Sequence, residues 1–283
     1  MGEDGAKAVG REVDAGQDGW GERCTDGMAD IVLTLKAALT HPTDLSCVVP
    51  DRFADLSNED VGNLAVWSAA APRSALRLGD VFSIEGERSS TVRVRGDCRI
   101  AEGLGREMRG GRLEIEGNVG PHCGTAMQGG SIRVAGDAGD HLAGALPGAS
   151  RGVVGGEIVV LGSAGSWVAE RMRRGLVYVG GSTGEFAGRG MIAGTLVIGR
   201  EPGAGTGQGI KRGSLVALGS IHPPDGFRFA CTYRPPHVPL ILTRLKTAFG
   251  ARLTDAQVHG LYRRHSGDLA ELGKGEILEW CTA

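Results

Sequence analysis

Glycine returns at a fixed spacing through the middle of this chain, and the spacing restricts what the chain can fold into. Six short segments each open with a Gly and continue with alternating apolar residues. The opening residues are Gly111, Gly130, Gly156, Gly175, Gly194 and Gly213, so the sequence numbers rise by 19, 26, 19, 19 and 19. The long step carries an insertion around His141–Ser150. A unit as short as this cannot pack on its own, so it must bury its apolar face against the next unit.

The residues that follow each of these glycines indicate β-strands. An apolar residue comes two positions after the Gly and another comes two positions later; the pairs are Leu113/Ile115, Ile132/Val134, Ile158/Val160, Val177/Val179, Leu196/Ile198 and Leu215/Ala217. This period of two buries one face of a strand. An earlier turn through Val92 and Val94 fits the pattern, and Phe82 and Ile84 belong to the strand that begins the series. We therefore predict an all-β fold, a parallel right-handed β-helix (solenoid) of about seven coils.

Glycine is also frequent between the strands, where it marks the corners of each coil. The chain has 49 Gly but only 11 Pro among 283 residues, and its aliphatic residues are plentiful, so neither disorder nor a collagen-like repeat explains the glycine. Gly at fixed positions in each unit indicates sharp backbone turns with positive φ. One further position is shared by Met108, Met127, Met172 and Met191, which we expect to stack inside the coils.

Charge and cysteine usage exclude several classes of function. With 31 Lys and Arg against 33 Asp and Glu, the chain has no positive field that would attract nucleic acid or an anionic membrane. No apolar run is long enough for a membrane span, and the N-terminus lacks the apolar core of a secretory signal, so we expect a cytoplasmic protein. The six Cys are far apart without a CxxC pair, which favours reduced thiols and no metal site.

Two motifs with a chemical meaning are present, and neither fits its usual context. The segment 203–212, GAGTGQGIKR, resembles a phosphate-binding loop, but Ile210 separates the last Gly from Lys211 and no Ser or Thr follows. The adjacent pair His122 and Cys123 would point to opposite sides of a strand, which disfavours joint metal binding. The other His and Ser residues show no metalloprotease or nucleophile-elbow spacing. The sequence therefore nominates no catalytic residue and no metal ligand.

The region before the repeat is predicted to contain a tail and a cap. We predict a disordered tail over 1–27, with Met28 as the candidate start. Residues 28–80 are predicted to form a small α/β cap on the first coil, with a strand from Ile31 to Leu35. A helix is expected to begin at Ser57 and to end near Trp67.

The repeat region is predicted to span 81–220 and to stop at His222-Pro223-Pro224. Residues 221–283 would then form a C-terminal extension with two short helices. The first is predicted over Val238–Phe249, because Leu242, Leu245 and Phe249 lie on one helical face. The second is predicted over Ala256–His265.

Outside the repeat, three stretches resemble those of a known protein family. They are Val49–Phe53 with Leu56–Ser57 and Leu64–Trp67, then Leu78–Gly86, and finally Ser266–Leu278. With the glycine repeat, they are similar to the C subunit of formylmethanofuran dehydrogenase. That family shares its GXGXG β-helix with the C-terminal domain of glutamate synthase large subunits, which lacks the three stretches. The resemblance covers residues 43–280.

The resemblance implies a subunit of one of two kinds of enzyme complex. One is the archaeal tungsten or molybdenum formylmethanofuran dehydrogenase. The other is the bacterial formyltransferase/hydrolase complex of one-carbon metabolism in methylotrophs, which passes formyl groups from tetrahydromethanopterin to a methanofuran-type carrier and releases formate. We favour the bacterial complex because the basic residues are almost all Arg, which is typical of GC-rich bacterial genomes. The archaeal complex and a stand-alone glutamate-synthase-like interaction module remain as alternatives.

In both complexes, the resemblance implies that this subunit is a non-catalytic β-helix. The metal, the pterin and the transferase or hydrolase chemistry would belong to the partner chains, and no cofactor would be bound by this chain alone. The other subunits of the complex are the expected partners. An independent enzyme or a carrier-binding module is the competing class of function.

The outward positions of the later strands are apolar and predict a covered face. These positions are Val159, Leu161, Leu176, Tyr178, Val216 and Leu218. A contiguous apolar patch of this kind is seldom left exposed on a monomer. Two alternatives remain for what covers this face: a partner protein of the complex, or the chain's own helix over Val238–Phe249.

Basic residues cluster near the methionine position and suggest a contact for an anionic substrate. They are Arg109, Arg171, Arg173, Arg174, Lys211 and Arg212. The resemblance implies a furan carrier with a glutamate-rich tail, and the planar fork of Arg is suited to carboxylates. Solvent-exposed surface arginines are the alternative interpretation.

Overall fold

The computed structural model describes residues 30–69 and 76–281, which are mostly β. The first eight strands are β1 Ile31–Leu35, β2 Thr43–Asp44, β3 Ala65–Ser68, β4 Leu76–Arg77, β5 Phe82–Glu85, β6 Thr91–Arg95, β7 Ala101–Glu102 and β8 Arg112–Ile115. The next eight are β9 Ser131–Val134, β10 Glu157–Val160, β11 Leu176–Val179, β12 Thr195–Ile198, β13 Arg212–Ala217, β14 Arg228–Tyr233, β15 Tyr262–Gly267 and β16 Lys274–Trp280. The helices are α1 Pro50–Phe53, α2 Asn58–Gly62, α3 Leu78–Val81, α4 Val238–Phe249 and α5 Asp255–His259. The predicted tail over 1–27 and the candidate start lie outside the described residues.

Twelve strands form one open sheet in the order β14-β15-β16-β13-β12-β11-β10-β9-β8-β6-β1-β5. Seven of them, β6 and β8 to β13, are consecutive, parallel and in register. Leu113 pairs with Ile132, which pairs in turn with Ile158, and all three side chains are fully buried. The alternation of apolar residues therefore predicted both the strands and their inner face, and the all-β class is confirmed.

Backbone contacts between the strands of successive repeats depend on glycine. A second line of parallel bridges runs through Cys98, Val119, Ala138, Ala164 and Thr183, outside the sheet. A Cβ atom on Gly117 would collide with the carbonyl oxygen of Gly96 in the preceding repeat, so only Gly fits there. The repeats thus approach each other at corners as well as along the strands.

The four methionines of the repeat are fully buried, as predicted. One repeat departs from the pattern. The amide of Val154 donates to the carbonyl of Met127, and the amide of Arg173 donates to the carbonyl of Val153. Val153 therefore takes the methionine position in the repeat that carries the insertion.

Both ends of the parallel stack are extended by strands from outside the repeat. At one end, β1 lies between β5 and β6, antiparallel to β5 and parallel to β6. At the other end, β16 continues the stack beside β13 and is followed by β15 and β14. The sheet therefore continues beyond the predicted stop of the repeat at His222–Pro224, through strands of the C-terminal extension. The strand β16 is recruited because Ile277 faces the inner core beside Leu215 while Leu278 faces the outer cluster beside Val216.

Two predicted helices are shorter than expected. The helix α2 has the predicted cap, in which Ser57 and Asp60 bond reciprocally, but it ends at Gly62, and Trp67 lies on β3. The chain turns there because β3 pairs with β2. The predicted helix over Ala256–His265 is limited to α5, since the residues after Gly260 form β15 and pair with β16.

The helix α4 matches its prediction and covers the outer face of the later strands. Leu242, Leu245 and Phe249 are buried against the outward residues of the sheet. The guanidinium of Arg244 donates two hydrogen bonds of 2.7 Å to the carboxylate of Glu157 on β10. Arg133 Nε on β9 donates to the carbonyl of Phe249 at 3.2 Å. The apolar patch is therefore covered within the chain itself.

Two leucines on α4 test how much this packing stabilises the fold. Leu242 is 0% exposed and Leu240 is 74% exposed. We expect Leu242→Ala to lower the free energy of unfolding by about 2–5 kcal/mol, because it removes buried methyl groups and leaves a cavity. The matched control Leu240→Ala should change it by less than about 0.5 kcal/mol. Urea denaturation of the purified chain measures both values, and equal effects would contradict the packing described for α4.

The thiols provide a second test, because burial changes their reactivity. Burial raises the pKa of Cys98 to about 11 and that of Cys123 to about 12, whereas Cys231 is exposed on β14. The thiolate is the nucleophile, so a raised pKa leaves almost no reactive form at pH 8. We expect iodoacetamide at pH 8 to label Cys231 in the native protein and to label Cys98 and Cys123 only after denaturation. Peptide mass spectrometry identifies the labelled sites, and early labelling of Cys123 would show that the core is open.

Candidate functional site

The predicted basic residues do not form one continuous strip. The backbone bonds place Arg109, Gln128, Val154, Arg173, Ile192 and Lys211 in successive repeats at one position. Gln128 and Val154 separate Arg109 from Arg173, and Ile192 separates Arg173 from Lys211. Val154 takes this position because of the insertion, and Ile192 takes it directly after Met191.

Three of the predicted basic residues remain together in one repeat. Arg171 donates from Nη1 to the carbonyl of Ala149 in the insertion at 2.7 Å, and its Nε lies 3.5 Å from Glu170. Arg173 and Arg174 are exposed, and within the described part of the chain neither forms an ion pair. The structure therefore offers a small basic group beside the insertion. Lys211 is separate and lies 3.6 Å from Glu271.

The predicted partner face is largely occupied by α4. Val159, Tyr178, Val216 and Leu218 are buried in the cluster that α4 completes, and burial raises the pKa of Tyr178 to about 12. These four residues are not available to a partner while α4 is in place, which favours the chain's own helix over a partner protein as the occupant of this face. Leu161 and Leu176 are only partly buried at the margin of the cluster.

A row of four adjacent rings lies at one turn of successive repeats, and we call it the ring row. Its members are His122, His141, Trp167 and Phe186. The centroids of the His122 and His141 rings are 4.9 Å apart with planes 8° from parallel, and those of His141 and Trp167 are 6.0 Å apart. The Trp167 and Phe186 rings follow with centroids 4.8 Å apart and planes tilted by 35°. All four side chains are partly exposed.

Every residue of the ring row has a left-handed backbone, with φ between 56° and 63°. Gly103 and Gly205 occupy the same position in the flanking repeats, and both also have positive φ. A non-glycine residue in this conformation costs about 1–2 kcal/mol, whereas a stacked aromatic pair contributes about 0.5–1.5 kcal/mol. Stacking alone therefore does not explain why rings stand where glycine would suffice.

Charged side chains surround the ring row. The Arg189 guanidinium carbon lies 4.9 Å from the centroid of Trp167 and 5.2 Å from that of Phe186, a cation–π arrangement. His141 Nδ1 is 3.8 Å from Glu170 Oε2. Burial and the neighbouring His141 lower the pKa of His122, which favours the neutral form of its ring. A neutral ring can stack on His141 without charge repulsion.

The sequence contained a signal for the ring row that the glycine pattern obscured. From His122 to His141, to Trp167 and to Phe186 the sequence numbers rise by 19, 26 and 19, as they do for the glycines. Chemical motifs alone had drawn attention to His122 as a partner of Cys123. In the structure, Cys123 is buried in the core while His122 joins the ring row. Within residues 30–69 and 76–281, no three His, Cys, Asp or Glu side chains are grouped to hold a metal ion.

A second polar cluster ties the C-terminal elements together beneath the start of α4. Ser214 Oγ donates to Glu276 at 2.6 Å, and Arg264 Nε lies 2.9 Å from the other oxygen of that carboxylate. His237 Nε2 is 3.7 Å from Glu276. The cluster links side chains of β13, β15 and β16 to the residue that precedes α4.

No helix in the described residues is both long and apolar enough to cross a membrane.

Comparison with known proteins identifies relatives of two kinds. No family model matches the sequence. The chain is 32% identical over 100 residues to the C subunit of the molybdenum-containing formylmethanofuran dehydrogenase 1 of Methanosarcina barkeri. The aligned region covers 34% of this chain and 32% of the relative. The chain is 37% identical over 88 residues to the C subunit of the formyltransferase/hydrolase complex Fhc of Methylorubrum extorquens, covering 31% and 32%. The matches thus span about a third of the length of these curated relatives.

A solved structure extends the likeness to almost the whole chain. The crystal structure of the formyltransferase/hydrolase complex (FhcABCD) from Methylorubrum extorquens, in complex with methylofuran, contains a chain that is 35% identical to this one. The alignment has a TM-score of 0.73 and covers 89% of this chain and 100% of that chain. Identity at this level over a complete chain, together with the two named relatives, shows that the protein belongs to the family of C subunits of formylmethanofuran dehydrogenases and formyltransferase/hydrolase complexes.

Proposed function

We propose that this chain is the structural C subunit of a bacterial formyltransferase/hydrolase complex. In this complex, formyl groups would pass from tetrahydromethanopterin to a methanofuran-type carrier, and formate would be released by the partner subunits. The observation that carries the proposal is the match to the full length of one chain of the FhcABCD crystal structure. The chain would serve as a rigid body on which the other subunits assemble.

The same proposal assigns a finer architecture. We take the repeats to close into a right-handed β-helix over 81–220, with a cap over 28–80 and an extension over 221–283. Support comes from the two lines of parallel contact between repeats, one along the sheet and one through Val119, Ala138 and Ala164. Two separate lines hold each repeat against the next at two sides, as a solenoid requires.

The polar groups inside the repeat have structural uses, which fits a scaffold. Thr125 Oγ1 donates to the carbonyl of His141, and Thr206 Oγ1 donates to that of Gly203. The Asp268 carboxylate accepts from the amides of Gly209 and Ala270. Each bond fixes a turn or links two repeats, so these groups satisfy backbone partners.

An archaeal formylmethanofuran dehydrogenase is the second candidate. The matches to the molybdenum-containing enzyme of Methanosarcina barkeri and to the tungsten-containing enzyme of Methanothermobacter wolfeii favour it. The complete chain match to the bacterial complex outweighs these partial matches. The two candidates differ in the chemistry of the assembled complex, which can be measured directly.

Affinity purification of the tagged chain from its own cells is the test. We expect three other subunits to co-purify and the complex to release formate from formyl-tetrahydromethanopterin in the presence of the furan carrier. The isolated chain should show no turnover. Dye-linked oxidation of the formylated furan by a tungsten or molybdenum cofactor would favour the archaeal type. Purification of the chain alone, with turnover, would overturn the structural role.

We further propose that the basic group of Arg171, Arg173 and Arg174 guides the acidic tail of the furan carrier. Methylofuran is present in the related crystal structure. Arg173 and Arg174 are exposed and unpaired within the described residues, so they are free to meet carboxylates. Arg171 also holds the insertion through Ala149, so its loss has a second effect.

Substitution of these arginines separates guidance from ordinary surface charge. In the assembled complex, Arg173→Ser with Arg174→Ser should raise the KM for a long-tailed carrier several-fold and leave that for a short-tailed analogue unchanged. Adding Arg171→Ser should strengthen the effect. Arg200→Ser with Arg252→Ser, two exposed arginines elsewhere, is the matched control. Equal kinetics on both carriers would show that the basic group is surface charge alone.

A further inference from the structure

The fold does not require rings at the turn where the ring row stands. The position is occupied by Gly103 in the repeat before the row and by Gly205 in the repeat after it, and their backbones have the same left-handed conformation. Four bulky side chains therefore replace the residue that the backbone prefers. Residues held in sparsely populated conformations cluster at functional sites.

The rings present a chemically defined edge to solvent. His122, His141 and Trp167 stack face to face, so their edges are the parts left to solvent, whereas Phe186 is tilted by 35° against Trp167. Aromatic edges carry partial positive charge. Arg106 and Arg189 follow Gly103 and Phe186 by three residues, at the same position of their turns, and neither forms an ion pair within the described part of the chain. In a repeat between them, Glu170 takes this position and lies near His141 and Arg171. Negatively charged groups are therefore favoured at Arg106 and at Arg189, near the two ends of the row.

The residues that come just before the row have the opposite charge. They are Glu102, Asp140 and Glu185, which precede Gly103, His141 and Phe186. Glu102, Arg106 and Asp140 all act electrostatically on His122, so both charges lie close to the rings. The ring row is thus bordered by acids just before it along the chain and by arginines near its two ends, with Glu170 between the arginines. Such a pattern fixes the direction in which a complementary surface can dock.

We propose that the ring row, with Arg106 and Arg189, is the docking surface for another subunit of the complex, a protein surface that places carboxylates against the arginines and apolar side chains against the rings. The inference rests on the proposed function. Trp, Phe and Arg are enriched at the centres of protein interfaces, and a few such residues supply most of the binding energy. The stacked rings are ordered before binding, so little side-chain freedom is lost on docking.

The test uses the assembled complex. The tagged chain, carrying one substitution at a time, is mixed with the other purified subunits, and the dissociation constant is measured by titration while native mass spectrometry reports the stoichiometry. We expect Trp167→Gly and Phe186→Gly to raise the dissociation constant at least about tenfold. Arg189→Gln should raise it to a smaller extent, and this difference from wild type should shrink at high salt.

Controls keep a loss of binding distinct from a loss of folding. Gly is the natural residue at both ends of the row, so the two Gly variants should keep the circular dichroism spectrum of the wild type. If either Gly variant unfolds, binding by Arg189→Gln and Trp167→His tests the docking surface instead. His is already present at two positions of the row, so Trp167→His should fold and should bind more tightly than Trp167→Gly. Arg200→Gln and Phe229→Ala, an exposed Arg and an exposed aromatic outside the row, should bind as wild type.

Two results would overturn the docking surface, and a third would overturn the proposed function on which it rests. Wild-type affinity in folded ring-row variants overturns the docking surface and leaves the proposed function intact. Unchanged assembly with a raised KM for the furan carrier also overturns it, and assigns the rings to the carrier. If the wild-type chain itself fails to assemble with the other subunits, the proposed function is wrong.

Discussion

Backbone hydrogen bonds between successive repeats are the constraint on which the rest of the structure depends. Each repeat donates to the one before it along the strand and again at the turns, so both must keep the same register. Close approach at the corners requires glycine, as the contact between Gly117 and the carbonyl of Gly96 shows. The extra residues of the insertion are therefore displaced from the stack, and the pairing resumes at Gly152 with Arg171. The side chains are arranged on this backbone in rows.

The rows divide the outer face of the sheet into two parts. In the early strands, the outward side chains are charged, and Arg93 lies 3.5 Å from Glu114. In the later strands they are apolar and α4 covers them. A helix of twelve residues is about 18 Å long, close to four strand spacings, so it spans this apolar part and little more. Arg133 at the boundary contacts the end of the helix, where the polar part begins.

Local patterns predicted most of the repeat, and contacts distant in sequence decided the rest. The period of glycine and apolar residues lies within each unit, so the strands and their buried face followed from the sequence. The helix α4 could also be predicted, since its apolar residues share one face. By contrast, β16 joins the stack through its register with β13, from which two helices and two strands separate it in the chain, and no local pattern encodes that pairing. The strand at Trp67 depends in the same way on its pairing with Asp44.

The candidate site was predicted less well, for a related reason. The predicted basic residues are separated by Val154, whose position depends on the insertion, and by Ile192, which lies in a regular repeat. The members of the ring row also align only when the insertion is allowed for in counting the repeats. The backbone bonds across the insertion confirm that His141 and Trp167 occupy equivalent positions.

The strands added from outside the repeat also set a limit to growth. A parallel stack with open ends could accept the end of another molecule and extend into a fibre, since every exposed strand would offer the same register. Here the outermost strands are β5, which is only four residues long, and β14, whose pairing is interrupted between Phe229 and Cys231. Both run antiparallel to the strand beside them. Neither edge reproduces the hydrogen-bonding pattern of the repeat, so the molecule has a defined length although its sequence is periodic.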